Sequence, residues 1–502
     1  MSTPLAITAV VFVVVTTLAI GTWGLRFSRT TSDFFVASRT VRPALNASAI
    51  GGEYLSAASF LGVAGLVLAF GAEMLWYPVG WTAGYLVLLV LVAAPLRRSG
   101  AYTLPDFAET RLESRVVRRV SSLLVVAIGW LYLMPQFQGA GIALASVTGA
   151  STWVGGVLVA TVVMVNVLTG GMRSVTFVQA FQYWLKLTAL LVPVFFLLLV
   201  WAGDGAVSPA DVGDAVVGND WAAPLLPGDW EGLYTTYSLI IATFLGTMGL
   251  PHVVVRFYTN PDGRAARRTT LVVLVLLGMF YVLPPVYGAL GRVYAPDLIA
   301  SGQSDAVVLE LPARMIAGLG GELLSALTTA GAFAAFLSTS SGLTIAVAGV
   351  VSQELTQRRL SGVAAFRAAA VVAVTVPLAL ALLTSGVGVA RAVALAFAVA
   401  ASTFCPLLVL GIWWRRLTDV GALAGLAVGG GLSGAAVANT LLGLDHGGWQ
   451  AVLLAQPAAW TVPAAFLTMI LVSLATPWRR PVGVRRFLVR LHTPEAVALD
   501  RG

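Results

Sequence analysis

Apolar runs of about 20 residues, each long enough to cross the hydrocarbon core of a bilayer as a helix, recur along the whole chain. The chain has 502 residues, of which 58% are hydrophobic and only 10% are charged. A soluble domain cannot hide so much apolar surface, because its exterior must be polar. The sequence therefore predicts an all-α polytopic membrane protein of about thirteen spans, whose surroundings are the lipid bilayer.

The arginines predict the direction of the spans. A net charge of +8 would suggest a nucleic-acid partner in a soluble protein, whereas in a membrane protein basic residues mark the cytoplasmic loops. This rule places the segments that contain Arg97, Arg267 and Arg415 on the cytoplasmic side. The segment 203–232 has six acidic residues and no basic residue, so we expect it outside. The N-terminus is then outside and the C-terminus cytoplasmic, in a bacterial plasma membrane, with no nucleic-acid partner.

The hydropathy breaks divide the chain into six parts. The first span, near 5–25, is interpreted as retained rather than cleaved. The span at 318–351 is too long for a straight crossing, and we expect it to include a surface turn. The parts are 1–43 (first transmembrane helix and cytoplasmic loop), 44–203 (spans two to six), 204–232 (acidic extracellular loop), 233–414 (spans seven to eleven), 415–477 (two peripheral transmembrane helices) and 478–502 (cytoplasmic basic tail).

Reactive side chains are few. The chain has one cysteine, and its three histidines are far apart in sequence, which argues against a disulfide or a ligand cluster for a transition metal. We find no nucleophile–base pair and no phosphate-binding loop. The sequence therefore predicts neither an enzyme nor a cofactor.

Span two is interrupted near the middle of the bilayer by Gly51 and Gly52, followed by Ser56 and Ser59. Unwound backbone at that depth must line protein or water, and a broken helix exposes carbonyls that hold ions and substrates. The alternative is that these small residues only allow close helix packing.

Glu53 lies in the same interruption, where a carboxylate costs about 3 kcal/mol. We expect a role in transport, proton coupling or gating, or a structural ion pair. Lys186, the other ionisable group deep in a span, is the candidate partner. Arg256 is expected near the inner surface, as a gate or an anchor for lipid headgroups.

Span nine carries Ala335, Ser338 and Thr339 at helical spacing on one face. Hydroxyl and carbonyl oxygens are ligands that a hard cation prefers. The alternative is that both hydroxyls bond to the carbonyls of the preceding helical turn.

Other polar or aromatic residues in the spans are candidates for substrate binding or gating. Gln136 and Gln138 flank the kink that Pro135 introduces into span four, and either contact a polar solute or satisfy the kink. Trp76 begins span three, as part of an interfacial belt or as the wall of an outer vestibule. Tyr54, Ser56 and Ser59 in span two complete this set, together with Glu53.

Several stretches resemble one family of transporters. They are 32–39 (SDFFVASR), 52–62 (GEYLSAASFLG), 170–172, 244–257 and 394–401. On these stretches the chain resembles the sodium:solute symporter family over nearly its whole length, and is most similar to its cation–acetate (monocarboxylate) branch. The resemblance implies a LeuT-type fold of five plus five helices, with spans two to six and seven to eleven as inverted repeats.

The resemblance also implies symport of a short monocarboxylate such as acetate with sodium as the coupling ion. Sugar and proline carriers of the family have an aspartate where this chain has Gln179, which leaves sodium or proton coupling open. A proton-coupled carrier that uses Glu53, or a transporter-like membrane sensor, are the alternatives. The implied sodium ligands are the carbonyls of Gly52, Leu55 and Ala335 and the hydroxyls of Ser338 and Thr339.

Overall fold

The computed structural model describes residues 3–24, 41–212, 221–223, 230–356, 362–384, 388–444, 447–495 and 497. Within these ranges the regular structure is helical throughout, and no strand occurs. The predicted motif at 32–39 lies outside the described residues.

The helices of the first half are α1 (Thr3–Gly24), α2 (Pro43–Tyr54), α3 (Val63–Phe70), α4 (Trp76–Val87), α5 (Ala93–Arg98), α6 (Leu104–Leu112), α7 (Arg115–Thr148) and α8 (Thr152–Gly203). The middle of the chain forms α9 (Trp230–Gly249), α10 (Pro251–Val255), α11 (Gly263–Tyr281), α12 (Leu283–Tyr294), α13 (Asp297–Ala300) and α14 (Val307–Met315). The last helices are α15 (Leu319–Thr356), α16 (Gly362–Leu383), α17 (Val389–Trp413), α18 (Asp419–Leu441), α19 (Trp449–Ala455), α20 (Ala458–Ala475) and α21 (Val484–His492).

In the described residues, eleven helices are long and apolar enough to cross a membrane, and the bent pair of α2 and α3 brings the number to twelve. Helix α8 accounts for two of the predicted spans. Its 52 residues would extend about 78 Å, more than twice the thickness of the hydrocarbon core. The helix turns at Gly171, whose φ of 59° and ψ of −168° are strained for any residue with a side chain.

Helix α15 corresponds to the predicted span at 318–351, and it runs without interruption for 38 residues. The expected surface turn is therefore wrong. The helix is buried over nearly all of residues 325–350 and packs against α7, α8 and α16. Protein surrounds most of its length, so the thickness of the bilayer does not limit it.

Two spans are broken at corresponding points of the two halves. The axis bends by 70° between α2 and the helix that starts at Ala58, and Leu55 at the break is not helical (φ −73°, ψ 86°). The second break separates α9 from α10 at Leu250, which is extended (φ −73°, ψ 119°) and precedes Pro251. Proline disfavours helical geometry in the residue before it and suits the first position of a new helix.

The ends of the helices group as the arginine pattern predicts. Arg97 donates to the carbonyls of Asn260 and Pro261, and Arg98 donates to Leu491 O at 3.3 Å. At the opposite end, Tyr294 donates to Asp204 at 2.9 Å. The segments predicted to be inside thus share one end of the bundle. The side of the membrane that this end faces stays a prediction.

Candidate functional site

The break between α2 and α3 releases backbone carbonyls that no helical N–H group can reach. Side chains from α8 and α15 satisfy them. Lys186 Nζ donates to Leu55 O at 2.7 Å and also to Gly52 O. Thr339 Oγ1 donates to Glu53 O at 2.6 Å. The break is therefore held open by hydrogen bonds from two other helices.

The five residues predicted to bind sodium lie together at this break, and the side chain of Lys186 lies among them. Its Nζ donates a third hydrogen bond, to Ser338 Oγ at 2.8 Å. The Ser338 hydroxyl in turn donates to Ala335 O at 3.1 Å. Helical spacing pointed to Ala335, Ser338 and Thr339, and the family resemblance added Gly52 and Leu55, but neither gave a sign that a lysine reaches these oxygens.

Glu53 is paired with Arg256 and not with its candidate partner Lys186. Arg256 Nε lies 2.6 Å from Glu53 Oε2, and their side chains are 1% and 2% exposed. The expectation that Arg256 anchors a headgroup at the inner surface is wrong. Span seven breaks at Leu250 and resumes as α10, and Arg256, which directly follows α10, lies buried in the core.

Gln179 connects this ion pair to α15. Arg256 donates to Gln179 Oε1, and Gln179 Nε2 donates to Ser338 O at 2.8 Å. Arg256 also donates to Thr176 Oγ1 at 2.9 Å. The guanidinium group thus uses its planar fork on three acceptors. We call Glu53, Lys186 and Arg256 the charge cluster.

Aromatic side chains pack on the other side of the first break. Phe397 is central to them, with ring centroids 5.8 Å from Trp81, 5.9 Å from Tyr132 and 6.4 Å from Tyr54. The Tyr54 and Tyr85 rings make an edge contact at 4.8 Å. We call these five residues the aromatic cluster; they come from α2, α4, α7 and α17, which are distant in sequence.

Some buried polar atoms near the aromatic cluster have no hydrogen-bond partner among the described residues. They are Trp81 Nε1, the Tyr85 hydroxyl and both ring nitrogens of His252. The His252 ring contacts Tyr132 at 5.2 Å. Buried donors are rarely left unsatisfied without a reason, so these atoms are candidates for contact with a polar solute.

The remaining candidates from the sequence divide into two groups. Gln136 and Ser59 lie at the break: Gln136 Oε1 accepts from Ala57 N at 3.1 Å, and Ser59 bonds to the Tyr281 hydroxyl at 2.9 Å. Ser56, within the break, is fully buried.

The other group lies outside the broken region. Gln138 bonds to Thr384 O at 2.7 Å and to Ala381 O at 3.3 Å, on α16 and just beyond it. Trp76 is only partly buried at the start of α4. The structure therefore brings neither residue to the charge cluster.

The comparison with known families gives the decisive observation: the profile of the Sodium:solute symporter family matches residues 34–429. The chain belongs to this family. Family and fold are those of transporters and not of enzymes.

Two relatives align over most of their own length. An uncharacterized symporter, YwcA, from Bacillus subtilis (strain 168) is 30% identical over 480 residues, which are 90% of this chain and 90% of the relative. A monocarboxylic acid transporter from Corynebacterium glutamicum is 31% identical over 503 residues, covering 91% of this chain and 89% of the relative.

Solved structures confirm the predicted fold class, a LeuT-type inverted repeat. A Na⁺-coupled sialic acid symporter superposes with a TM-score of 0.67 at 15% identity, covering 93% of this chain and 98% of the other. The nucleobase–cation symporter Mhp1 gives a TM-score of 0.59 at 14% identity, with 91% and 98% covered. At these identities the likeness concerns the fold alone.

Proposed function

We propose that this chain is a symporter that carries a short monocarboxylate, such as acetate, together with a cation by alternating access. The solute would bind between the two broken helices, beside the aromatic cluster. Half-helix ends at such breaks are where transporters of this architecture hold solutes and ions.

The observation that carries the proposal is the balance of buried charge around the breaks. Glu53 and Arg256 neutralise each other at 2.6 Å. Lys186, fully buried, makes its hydrogen bonds to uncharged oxygens. One formal positive charge is therefore left over in the charge cluster, and a buried charge is costly unless it is compensated. A bound monocarboxylate would compensate it, which supports an anionic solute.

The unpartnered donors support the same class of solute. Trp81 Nε1 and the Tyr85 hydroxyl supply N–H and O–H groups beside the rings of the aromatic cluster. A carboxylate accepts such donors strongly, and a short alkyl group suits the aromatic faces. The similarity to a monocarboxylic acid transporter agrees with this solute class.

The family description supports sodium as the coupling cation. A proton is the alternative, with Glu53 as its site. Both remain within the proposal, because either ion would enter with the anion and reduce the charge that must cross the membrane.

Uptake into proteoliposomes tests the proposed function. The purified protein should accumulate labelled acetate and pyruvate but not labelled proline, under sodium and proton gradients imposed separately. Uptake of proline without either carboxylate would contradict the proposal.

The variant Tyr85→Phe removes only an unpartnered hydroxyl. Losing a hydrogen bond to a charged group costs about 1.5–2 kcal/mol, so the KM for acetate should rise about 10- to 30-fold. Tyr287→Phe is the matched control, because its buried hydroxyl already has a protein partner, Leu190 O at 3.1 Å. An equal change of KM in both variants would show that the Tyr85 hydroxyl does not bind the solute.

A further inference from the structure

Three oxygens converge on one nitrogen at the first break. Lys186 Nζ donates to Leu55 O at 2.7 Å, to Ser338 Oγ at 2.8 Å and to Gly52 O. A lysine ammonium has three N–H donors and no acceptor. All three donors are therefore used, each on an oxygen of the predicted sodium shell.

The other two predicted ligands are engaged as well. Ala335 O accepts from the Ser338 hydroxyl at 3.1 Å, and the Thr339 hydroxyl donates to Glu53 O at 2.6 Å. The Thr339 hydroxyl therefore points its hydrogen atom, and not a free lone pair, towards the break. A sodium ion does not fit among these oxygens while Lys186 lies there, since the ammonium nitrogen already contacts three of them.

The surroundings of Lys186 are those of a bound cation and not of an ordinary ion pair. Its side chain is 0% exposed, and among the described residues no carboxylate lies within ion-pair distance. Glu53, the nearest acidic side chain in sequence to these oxygens, is bonded to Arg256. The oxygens that the ammonium contacts are neutral carbonyl and hydroxyl oxygens, as they would be around a hard metal ion.

We propose that the ammonium group of Lys186 is the resident cation of this site and takes the place of a sodium ion. The chain then binds no sodium at Gly52, Leu55 and Ser338, and any sodium that drives transport binds elsewhere. The consequence for transport rests on the proposed function, but the occupancy of the site does not.

Binding of ²²Na⁺ to the purified full-length protein tests the assignment without any solute. Lys186→Ala should create a sodium site that the wild type lacks, because it leaves both the oxygens and the space. Adding Ser338→Ala to that variant should weaken the new site about 5- to 30-fold, through the loss of one ligand. Lys186→Met is the matched control: it removes the charge but fills the space, and should bind no more sodium than the wild type.

Two results would overturn the proposal. In the first, the wild type binds sodium and Ser338→Ala weakens that binding. The site would then hold a sodium ion beside the lysine. The other is a folded Lys186→Ala protein that gains no sodium site. If Lys186→Ala does not fold, the wild type and Ser338→Ala alone decide: equal sodium binding supports the proposal, and weaker binding in Ser338→Ala refutes it. Failure of acetate uptake would refute the proposed function and leave this measurement intact.

Discussion

The buried pair of Glu53 and Arg256 makes an unequal prediction for its two members. Removing Glu53 with Glu53→Gln leaves two cations, Arg256 and Lys186, in one low-dielectric region. Removing Arg256 with Arg256→Gln leaves one anion and one cation, so the net charge falls to zero. The first change should therefore destabilise the protein more than the second.

The structure sets the size of this difference. Breaking a buried pair by leaving an uncompensated charge costs about 3–5 kcal/mol, which we expect for Glu53→Gln. Arg256→Gln loses charge-assisted hydrogen bonds, including the 2.6 Å contact, at about 1.5–3 kcal/mol. The double variant removes both charges and should cost no more than Glu53→Gln alone. The summed cost of the two single variants should therefore exceed the cost of the double variant by about 2 kcal/mol.

Unfolding by SDS in mixed micelles measures these free energies. Arg314→Gln is the control: its ion pair with Asp297 is 2.6 Å long, but the two side chains are 31% and 63% exposed. Such a pair is worth less than about 1 kcal/mol. If Glu53→Gln costs no more than Arg256→Gln, or if the single effects add, the charge balance described here is wrong.

Three further predictions concern space, pH and topology. Gly342→Ala would place a Cβ 2.1 Å from the Glu53 carboxyl carbon and should destabilise the protein by about 1–3 kcal/mol in the same unfolding assay. Gly278→Ala is the control, since its added Cβ would have no atom within 4 Å and should not destabilise the protein. Equal destabilisation by both variants would show that Gly342 is not crowded by Glu53. Burial raises the pKa of Asp305 from 3.8 to about 6, so its carboxyl stabilises the fold below pH 3.8 and loses that effect as the pH rises through 6. Asp305→Asn should therefore raise the melting temperature at pH 8 and leave it unchanged at pH 4; the same shift at both values would exclude this titration. Because Cys405 is buried, a membrane-impermeant thiol reagent applied to intact cells should label Asp211→Cys and miss Arg267→Cys, and the reverse pattern would invert the topology.

Much of the architecture follows from the sequence, because the bilayer imposes strong rules on it. The arginine pattern predicted which loops lie at the same end of the bundle. The hydrogen bonds from Arg97 to the carbonyls of residues 260 and 261 confirm this for two of the loops. A break in span two was likewise visible, since glycine pairs and a carboxylate are costly in a lipid-facing helix. Its predicted position at Gly51 and Gly52 was wrong: both glycines are helical, and the chain leaves the helix at Leu55. These signals are local, and each is readable in a single span.

The sequence did not reveal which charges meet. Arg256 was assigned to the inner surface because the apolar run of span seven ends directly before it. Proline at the first position of a new helix instead lets the chain turn and continue, which brings Arg256 to Glu53. The partners of Lys186 depend on the relative positions of α2, α8 and α15, and no spacing within one helix encodes them.

The hydrogen bonds that Arg256 makes to Glu53 and Gln179, and those that Lys186 makes at the same break, also limit how this chain can diverge. Arg256 directly follows α10, Glu53 is in α2, and Gln179 and Lys186 are in α8, so a substitution at one position leaves a buried group on another element without its partner. Neutral drift at these positions would pass through intermediates with an unsatisfied charge. Paired replacements, such as loss of the acid together with the arginine, avoid that intermediate. In relatives that have lost one member, we therefore expect the others to have changed with it.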